Sequence, residues 1–415
     1  MDIIINEILT TPAILIGLFV MIGNVLLKKP LADIISGTFK TIIGFTMLFT
    51  GAGIVGGSLE YFSLMFAEAF GLQGVVINTD AWGALLTDTY GLSSIILVVG
   101  MILNIFLARF TRFKYIFLAG NISLYIAGML GMILKDFSPL VTISVGPIVL
   151  ALYMILSPAL THKYTAEIAG TDEFALANPG NTTYFLAGKL GRLFGDKDKS
   201  IDDINVPKSL GFLQDSTVTM SLTMALLFIL MRLFIGPEFV EVNLSNGQHY
   251  LFFSFMQGIT FTVGVLVLMY GINLAVEELT ESFKGIGERF IPGDTPAVDA
   301  AVMAKYSPNA MIVGFLVSFS TSLVAIMFLQ MFNLPITIPS VLLHFFIGGI
   351  AATFGNKTGG RRGAIIGAVT NGLMMGILPS IFLTYVGGVD SSIIFGDADY
   401  GIIGILVEFF ARFFR

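Results

Sequence analysis

A few polar residues lie within otherwise apolar stretches of this chain, and their types suit hydrogen bonding to a hydroxylated solute. Asp299 follows a Pro-Gly break, Asn178 and Asn181 flank another Pro-Gly pair, and Asn121 lies inside an apolar run. Carboxylates accept strong hydrogen bonds from hydroxyl groups, and amides both donate and accept. The pattern predicts a binding site for a polar solute.

Each of these residues also has a structural interpretation. Asp299 could cap a helix N-terminus or pair with Lys305, although the cost of burying a carboxylate among apolar residues favours function. Asn121 could instead bond to a neighbouring helix. The Asn-Pro-Gly-Asn sequence is also ordinary turn chemistry. A further acid, Asp80, is equally natural as a solvated residue of an outer loop.

Composition defines the broad class of protein. The chain is 55% hydrophobic and 12% charged, against about 25% charged in a soluble domain. It has no cysteine, which excludes disulfides, thiolate metal sites and a cysteine nucleophile in this sequence. Its three histidines lack metal-ligand spacing, and it has no Gly-rich ATP motif. We expect a membrane protein without a metal or cofactor, and an ATP-driven pump is disfavoured.

About eleven apolar stretches approach the roughly 20 residues that a spanning helix needs. The predicted spans are 11–27, 41–57, 91–108, 115–134, 139–157, 217–236, 250–274, 309–332, 337–353, 363–386 and 401–414. All but Lys135 and Arg232 of the 22 basic residues lie in segments that would share one side. Basic loops stay cytoplasmic, so the expected orientation in the inner membrane is N-terminus outside and C-terminus inside.

Segments 58–90, 164–216 and 280–308 are too polar to span and too apolar for ordinary loops. The second contains Asn178-Pro-Gly-Asn181 between short apolar arms, which predicts a re-entrant hairpin, and the third predicts a second hairpin region. Non-helical backbone at membrane depth must be buried in protein or line a watery cavity. These segments therefore point to a substrate site near the midplane.

A weak internal repeat is also present. Phe39-Lys-Thr-Ile resembles Phe283-Lys-Gly-Ile, and each is followed by an acidic residue, Asp80 or Asp299. Six predicted spans separate the two motifs. An even number argues against a simple inversion of the two halves, unless one predicted span is misassigned or a hairpin crosses the membrane.

Several blocks of sequence resemble the membrane subunit (enzyme IIC) of the bacterial phosphoenolpyruvate-dependent phosphotransferase system. The chain is most similar to the ascorbate-specific family and more distantly to the galactitol family. The blocks are Lys40-Thr-Ile-Ile-Gly-Phe, Gly51-Ala-Gly, Gly195-Asp-Lys-Asp-Lys-Ser-Ile, Arg289-Phe-Ile-Pro-Gly, Tyr306-Ser-Pro-Asn-Ala and Phe354-Gly-Asn-Lys-Thr-Gly-Gly-Arg-Arg. They occur in order along almost the whole chain.

The resemblance implies an all-α polytopic fold in which residues 1–415 form a single transmembrane domain. Core and dimerisation subdomains would be interleaved in the sequence, and the core would carry two re-entrant hairpins in an elevator-like motion. It further implies a homodimer that moves an ascorbate-like sugar or sugar acid. A separate IIB protein would phosphorylate that substrate, so this chain would not itself be an enzyme.

The resemblance also assigns substrate-binding positions. They are Gly51, Ala52, Thr79, Asp80, Asn121, Tyr125, Asn178, Asn181 and Asp299. The chain departs from the ascorbate pattern in having Asn121 in place of His, Asn residues in place of a His-Gln run in the hairpin, Tyr125 in place of an amide, and Ala52 in place of a small hydroxyl residue. An ion-coupled secondary transporter, in which Asp299 would bind a proton or Na⁺, is the alternative function. A passive channel lacks a ring of pore-lining charges.

Overall fold

The computed structural model describes residues 12–70, 75–77, 90–204, 216–291, 293–340, 343–386 and 393–413. This part of the chain is mostly helical, as the sequence predicts. It also contains short strands that the sequence did not predict.

The described residues form twelve α-helices and six strands. The helices are α1 Pro12–Leu26, α2 Leu31–Phe70, α3 Tyr90–Phe110, α4 Gly120–Ile133, α5 Pro139–Ala169, α6 Asn181–Phe194, α7 Ser216–Leu230, α8 Pro237–Phe239, α9 Tyr250–Phe290, α10 Pro308–Leu329, α11 Gly349–Val386 and α12 Ala398–Ala411. The strands are β1 Val75–Ile77, β2 Tyr115–Phe117, β3 Ala175–Leu176, β4 Thr295–Val298, β5 Thr337–Ile338 and β6 Ile393–Ile394. A 3₁₀ helix at Ala300–Tyr306 precedes α10, and a π-helical turn at His344–Gly348 leads into α11.

The same order of elements occurs twice. The first half runs α2, β1, α3, β2, α4, α5, β3 and α6, and the second runs α9, β4, α10, β5, α11, β6 and α12. The counterpart of the α4–α5 pair is α11, which is broken at Gly359 and Gly360, where Gly360 adopts a φ of 57°. The paired helices match in length, with 40 and 41 residues in α2 and α9 and 14 in both α6 and α12.

The two halves exchange their first strands. In one three-stranded sheet, β4 of the second half lies between β2 and β3 of the first; in the other, β1 of the first half lies between β5 and β6 of the second. All four strand pairs are parallel. This reciprocal exchange supplies backbone hydrogen bonds where the helices are interrupted, and buried amides require such partners in a membrane.

Helices α2 and α9 pack along their length in opposite directions. Lys40 Nζ lies 2.7 Å from Glu278 Oε1 near one end, and Ser58 Oγ donates to the carbonyl of Gln257 at 3.0 Å farther along. Because these helices correspond in the repeat, the halves are inverted relative to each other. The even number of predicted spans does not exclude this inversion, because one of those six spans, 115–134, begins with a strand and is misassigned as a continuous helix.

Four described helical segments are long and apolar enough to cross a membrane, and they establish a multi-pass membrane protein. They are Pro139–Ala169, Tyr250–Ala275, Asn309–Leu329 and His344–Tyr385. A bent pair, Met220–Leu233 and Pro237–Leu244, makes a fifth if it counts as one span.

Other predicted segments differ in detail. The predicted spans 115–134 and 337–353 each begin with a strand, β2 or β5, so neither is one continuous helix. The start of segment 58–90 continues α2 as far as Phe70. In segment 164–216 the first arm of the predicted hairpin is the strand β3, and the second arm is α6. Hydropathy alone does not separate short apolar strands from helix.

The close contact of α2 with α9 can be tested at two glycines of α2. A Cβ added to Gly44 would lie 2.7 Å from the backbone nitrogen of Ala275, whereas one added to Gly53 meets nothing within 4 Å. We expect Gly44→Ala to lower the free energy of unfolding by about 1–3 kcal/mol. Gly53→Ala is the matched control and should leave it unchanged or raise it by up to about 1 kcal/mol. Unfolding in detergent measures both, and equal effects would contradict the packing.

Candidate functional site

Three polar residues predicted from the sequence follow strands of one parallel sheet. The amide of Ala177 donates to the carbonyl of Val298 at 2.7 Å, and the amide of Leu118 donates to the carbonyl of Ala297 at 2.8 Å. The carboxyl ends of β2, β4 and β3 therefore share one edge, where open parallel sheets commonly bind ligands. Asn178 and Asp299 come directly after this edge, and Asn121 lies in the first turn of α4.

The Asn-Pro-Gly-Asn turn between β3 and α6, here called the first tip (residues 178–181), is held by its own amides. Asn178 Oδ1 accepts from the Gly180 amide and from the Tyr184 hydroxyl, both at 2.9 Å. Asn181 Nδ2 donates to Ser157 Oγ and to the carbonyl of Leu176, both at 2.8 Å. The turn interpretation is thus correct for these bonds. Asn181 Oδ1 is buried and has no hydrogen-bond partner among the described residues.

Asp299 lies between β4 and the Ala300–Tyr306 3₁₀ helix. Its Oδ1 accepts from the Ala301 amide at 2.8 Å, so the predicted cap is present. The predicted pair with Lys305 is absent from the ion pairs of the described residues, and the Lys305 ammonium instead lies 5.1 Å from the centre of the Tyr306 ring. Capping uses one oxygen of the carboxylate. Asp299 has no ion-pair partner among the described residues.

A second tip (residues 395–399), between β6 and α12, is joined to the first by Asp399. Asp399 Oδ1 accepts from the Thr182 amide at 3.2 Å, and Oδ2 accepts from the Tyr153 hydroxyl at 3.2 Å. The Asp399 amide donates to the carbonyl of Pro179 at 2.9 Å. Thr182 lies in the first turn of α6, whose free amides favour a carboxylate. One buried carboxylate therefore links the ends of the two halves.

Three acidic residues of the second half, Asp299, Asp397 and Asp399, lie just after the strands β4 and β6. Asp397 and Asp399 are each only 3% exposed. No described ion pair joins Asp299 or Asp399 to a lysine or arginine. The site is therefore rich in hydrogen-bond acceptors and suits a ligand that offers several hydroxyl donors.

The structure brings some predicted residues together and not others. Asp299, Asn178, Asn181 and the backbone of Asn121 lie at or next to the carboxyl edge of one sheet. Tyr125 is 5% exposed and belongs to the apolar core around α4. Gly51 instead lies at the contact of α2 with Gly264 of α9. The Ala52 and Asn121 side chains, and all of Thr79 and Asp80, lie outside what the structure describes.

Sequence reasoning missed Tyr153, Tyr184, Asp397 and Asp399. Segment 387–400 lies between the predicted spans 363–386 and 401–414 and carries acids without a basic residue, so the sequence predicts an outer connection there. A signal was available in the repeat, since an apolar strand, a glycine-containing turn and a 14-residue helix recur at β3–α6 and β6–α12. Following the repeat to its end would have located the second tip.

Spanning helices, interrupted inverted halves and a polar site between them define a transporter-like membrane protein. Comparison with known families agrees with the sequence resemblance. Residues 7–399 match the family EIIC-GAT, described as "PTS system sugar-specific permease component". The chain belongs to this family, which confirms the resemblance drawn from its motifs.

One curated relative is the ascorbate-specific PTS system EIIC component of Mycoplasma pneumoniae (strain ATCC 29342 / M129 / Subtype 1). The two proteins are 24% identical over 426 residues, and the match covers 87% of this chain. The match spans 63% of the relative's length.

Asn178 accepts hydrogen bonds through its amide oxygen, whereas Asn181 donates them through its amide nitrogen. Replacing each residue by aspartate therefore gives a matched test of these bonds. In Asn181→Asp, both donated bonds are lost and a buried carboxylate faces the Leu176 carbonyl. We expect a loss of about 3 kcal/mol or more in the free energy of unfolding. Asn178→Asp keeps the oxygen that accepts from Gly180 and Tyr184, so its loss should be clearly smaller. Thermal unfolding in detergent measures both, and the reverse order would refute the bond assignments.

Proposed function

We propose that this protein is a sugar permease (IIC) of the phosphoenolpyruvate-dependent phosphotransferase system. It would carry a sugar or sugar acid across the inner membrane for phosphorylation by a separate IIB protein. Family membership supports this proposal. The observation that carries it is that Asp399 of the second half bonds to the first tip and to Thr182, while Asp299 follows the strand that pairs with β3.

The finer features belong to the same proposal. We infer about eleven spans, with the N-terminus outside and the C-terminus cytoplasmic, and a homodimer with core and dimerisation subdomains. The two tips would act as re-entrant hairpins in a core that moves as an elevator. Their mutual bonds through Asp399 support a core that moves as one unit.

The acceptor-rich site bears on the choice of substrate. Asp299 and Asp399 have no basic partner among the described ion pairs, so their carboxylates disfavour an anion and attract hydroxyl donors. The M. pneumoniae relative is named for ascorbate, which is an anion at neutral pH. For this chain we expect galactitol or another neutral polyol to bind more tightly than L-ascorbate. Competition between the two for the purified protein measures this preference, and tighter binding of ascorbate would contradict it.

An ion-coupled secondary transporter remains the second candidate, because Asp299 and Asp399 have no basic partner among the described ion pairs. Membrane vesicles loaded with phosphorylated IIB and supplied with a labelled sugar panel separate the two functions. The permease is supported by uptake that requires the phosphorylated IIB and yields sugar phosphate. Accumulation of unmodified sugar under a proton or sodium gradient would establish the alternative.

The role of Asp299 can be separated from its capping bond. Asp299→Asn retains an oxygen for the Ala301 amide but removes the charge, whereas Asp299→Ala also removes the cap. We expect Asp299→Asn to fold normally and to weaken substrate binding about ten- to hundred-fold, because hydrogen bonds to a charged group are the stronger ones. Equilibrium binding and detergent unfolding are measured together. Unchanged binding in Asp299→Asn with lower stability in Asp299→Ala would leave only the capping role.

A further inference from the structure

A second buried polar cluster lies behind the first tip and is not used by the site described above. His344 Nδ1 lies 2.7 Å from Ser318 Oγ, and Asn371 Nδ2 donates to the same oxygen at 2.9 Å. The three residues come from the His344–Gly348 turn, α10 and α11, and each is fully buried. We call them the His344 cluster.

Two of these hydrogen bonds meet at the Ser318 hydroxyl. An amide nitrogen only donates, so Ser318 Oγ accepts from Asn371, and we assign the Ser318 proton to the bond with His344 Nδ1. The neutral imidazole then carries its hydrogen on Nε2. Within the described residues, neither His344 Nε2 nor Asn371 Oδ1 has a hydrogen-bond partner. The cluster therefore presents one free donor and one free acceptor.

A hydroxyl group has the hydrogen-bonding chemistry that each of these free atoms requires. It accepts a hydrogen bond from an N–H and donates one to an amide oxygen. Burying such polar atoms without partners is unfavourable, so a ligand that supplies a hydroxyl there gains binding energy. A carboxylate would suit the donor but not the acceptor, since an ionised carboxylate only accepts.

The position of the cluster connects it with the substrate site. His344 opens the helical segment that follows β5, as Asn121 opens the one that follows β2 in the other half. One turn later, Ile347 packs on the first tip, because a Cβ on Gly180 would lie 2.7 Å from Ile347 Cγ2. The segment from His344 to Gly348 is a π-helical turn, a distortion that often marks functional sites.

We propose that the His344 cluster binds one hydroxyl group of the transported sugar, as the second-half counterpart of Asn121. This inference rests on the proposed function as a permease. His344 Nε2 is the donor to the sugar oxygen, Ser318 fixes the tautomer, and Asn371 holds Ser318 in place and accepts from the hydroxyl.

Two substitutions of His344 separate binding from structure. Asn at 344 reproduces the Nδ1 side of the ring and can still accept from Ser318, but it lacks a donor at the Nε2 position. Gln at 344 places an amide nitrogen close to that position. We expect His344→Asn to fold and to bind galactitol about ten-fold more weakly. His344→Gln should stay within about three-fold of the unsubstituted protein.

Binding of the monodeoxy analogues of galactitol identifies the group in the site. The unsubstituted protein should bind one analogue about ten-fold more weakly than galactitol, and His344→Asn should no longer distinguish these two ligands. If L-ascorbate alone binds, the same comparison uses its monodeoxy analogues. If His344→Asn weakened the binding of every ligand equally, or weakened the binding of none, the cluster would hold only water or be structural. Either result would overturn the inference. Failure of the unsubstituted protein to bind any sugar would instead refute the proposed function itself.

Discussion

The exchange of β1 and β4 between the two halves is the interaction on which the rest of the structure depends. Each interrupted helix leaves amides and carbonyls without intrahelical partners, and lipid supplies none. The short parallel sheets provide those partners, since β4 bonds to both β2 and β3, and β1 bonds to both β5 and β6. Without the exchange, neither half would complete its own sheet. The interrupted helices can therefore be satisfied only when the two halves associate.

The same exchange places the candidate site. It brings the residues after β3 and β4 to one edge, although more than a hundred residues separate them in sequence. Asp399 then fastens the second tip to the amide of Thr182 and the hydroxyl of Tyr153. The first turns of helices and the ends of strands thereby surround a small region rich in hydrogen-bond acceptors. The backbone groups around it already have hydrogen-bond partners within the protein. A hydroxylated solute would meet preorganised acceptors there, at little cost in reorganisation.

Much of this could be predicted from composition and periodicity, and the rest could not for identifiable reasons. Apolar runs and basic residues predicted a multi-pass membrane protein, and Asp299 and the first tip stood out because polar groups are costly among apolar residues. The strands are only two to four residues long, too short for a period-two pattern to appear. Asp399 could not be predicted because an acid within a predicted outer connection is expected to be solvated, and only its tertiary hydrogen bonds show that it is buried.

A structure of the full chain with a bound sugar, determined in a lipid nanodisc, tests the central claim most directly. The claim is that both inverted halves build one site. The account predicts density for the sugar at the edge shared by Asp299 and the first tip, within hydrogen-bond distance of side chains from each half. A sugar held by residues of one half alone would contradict it.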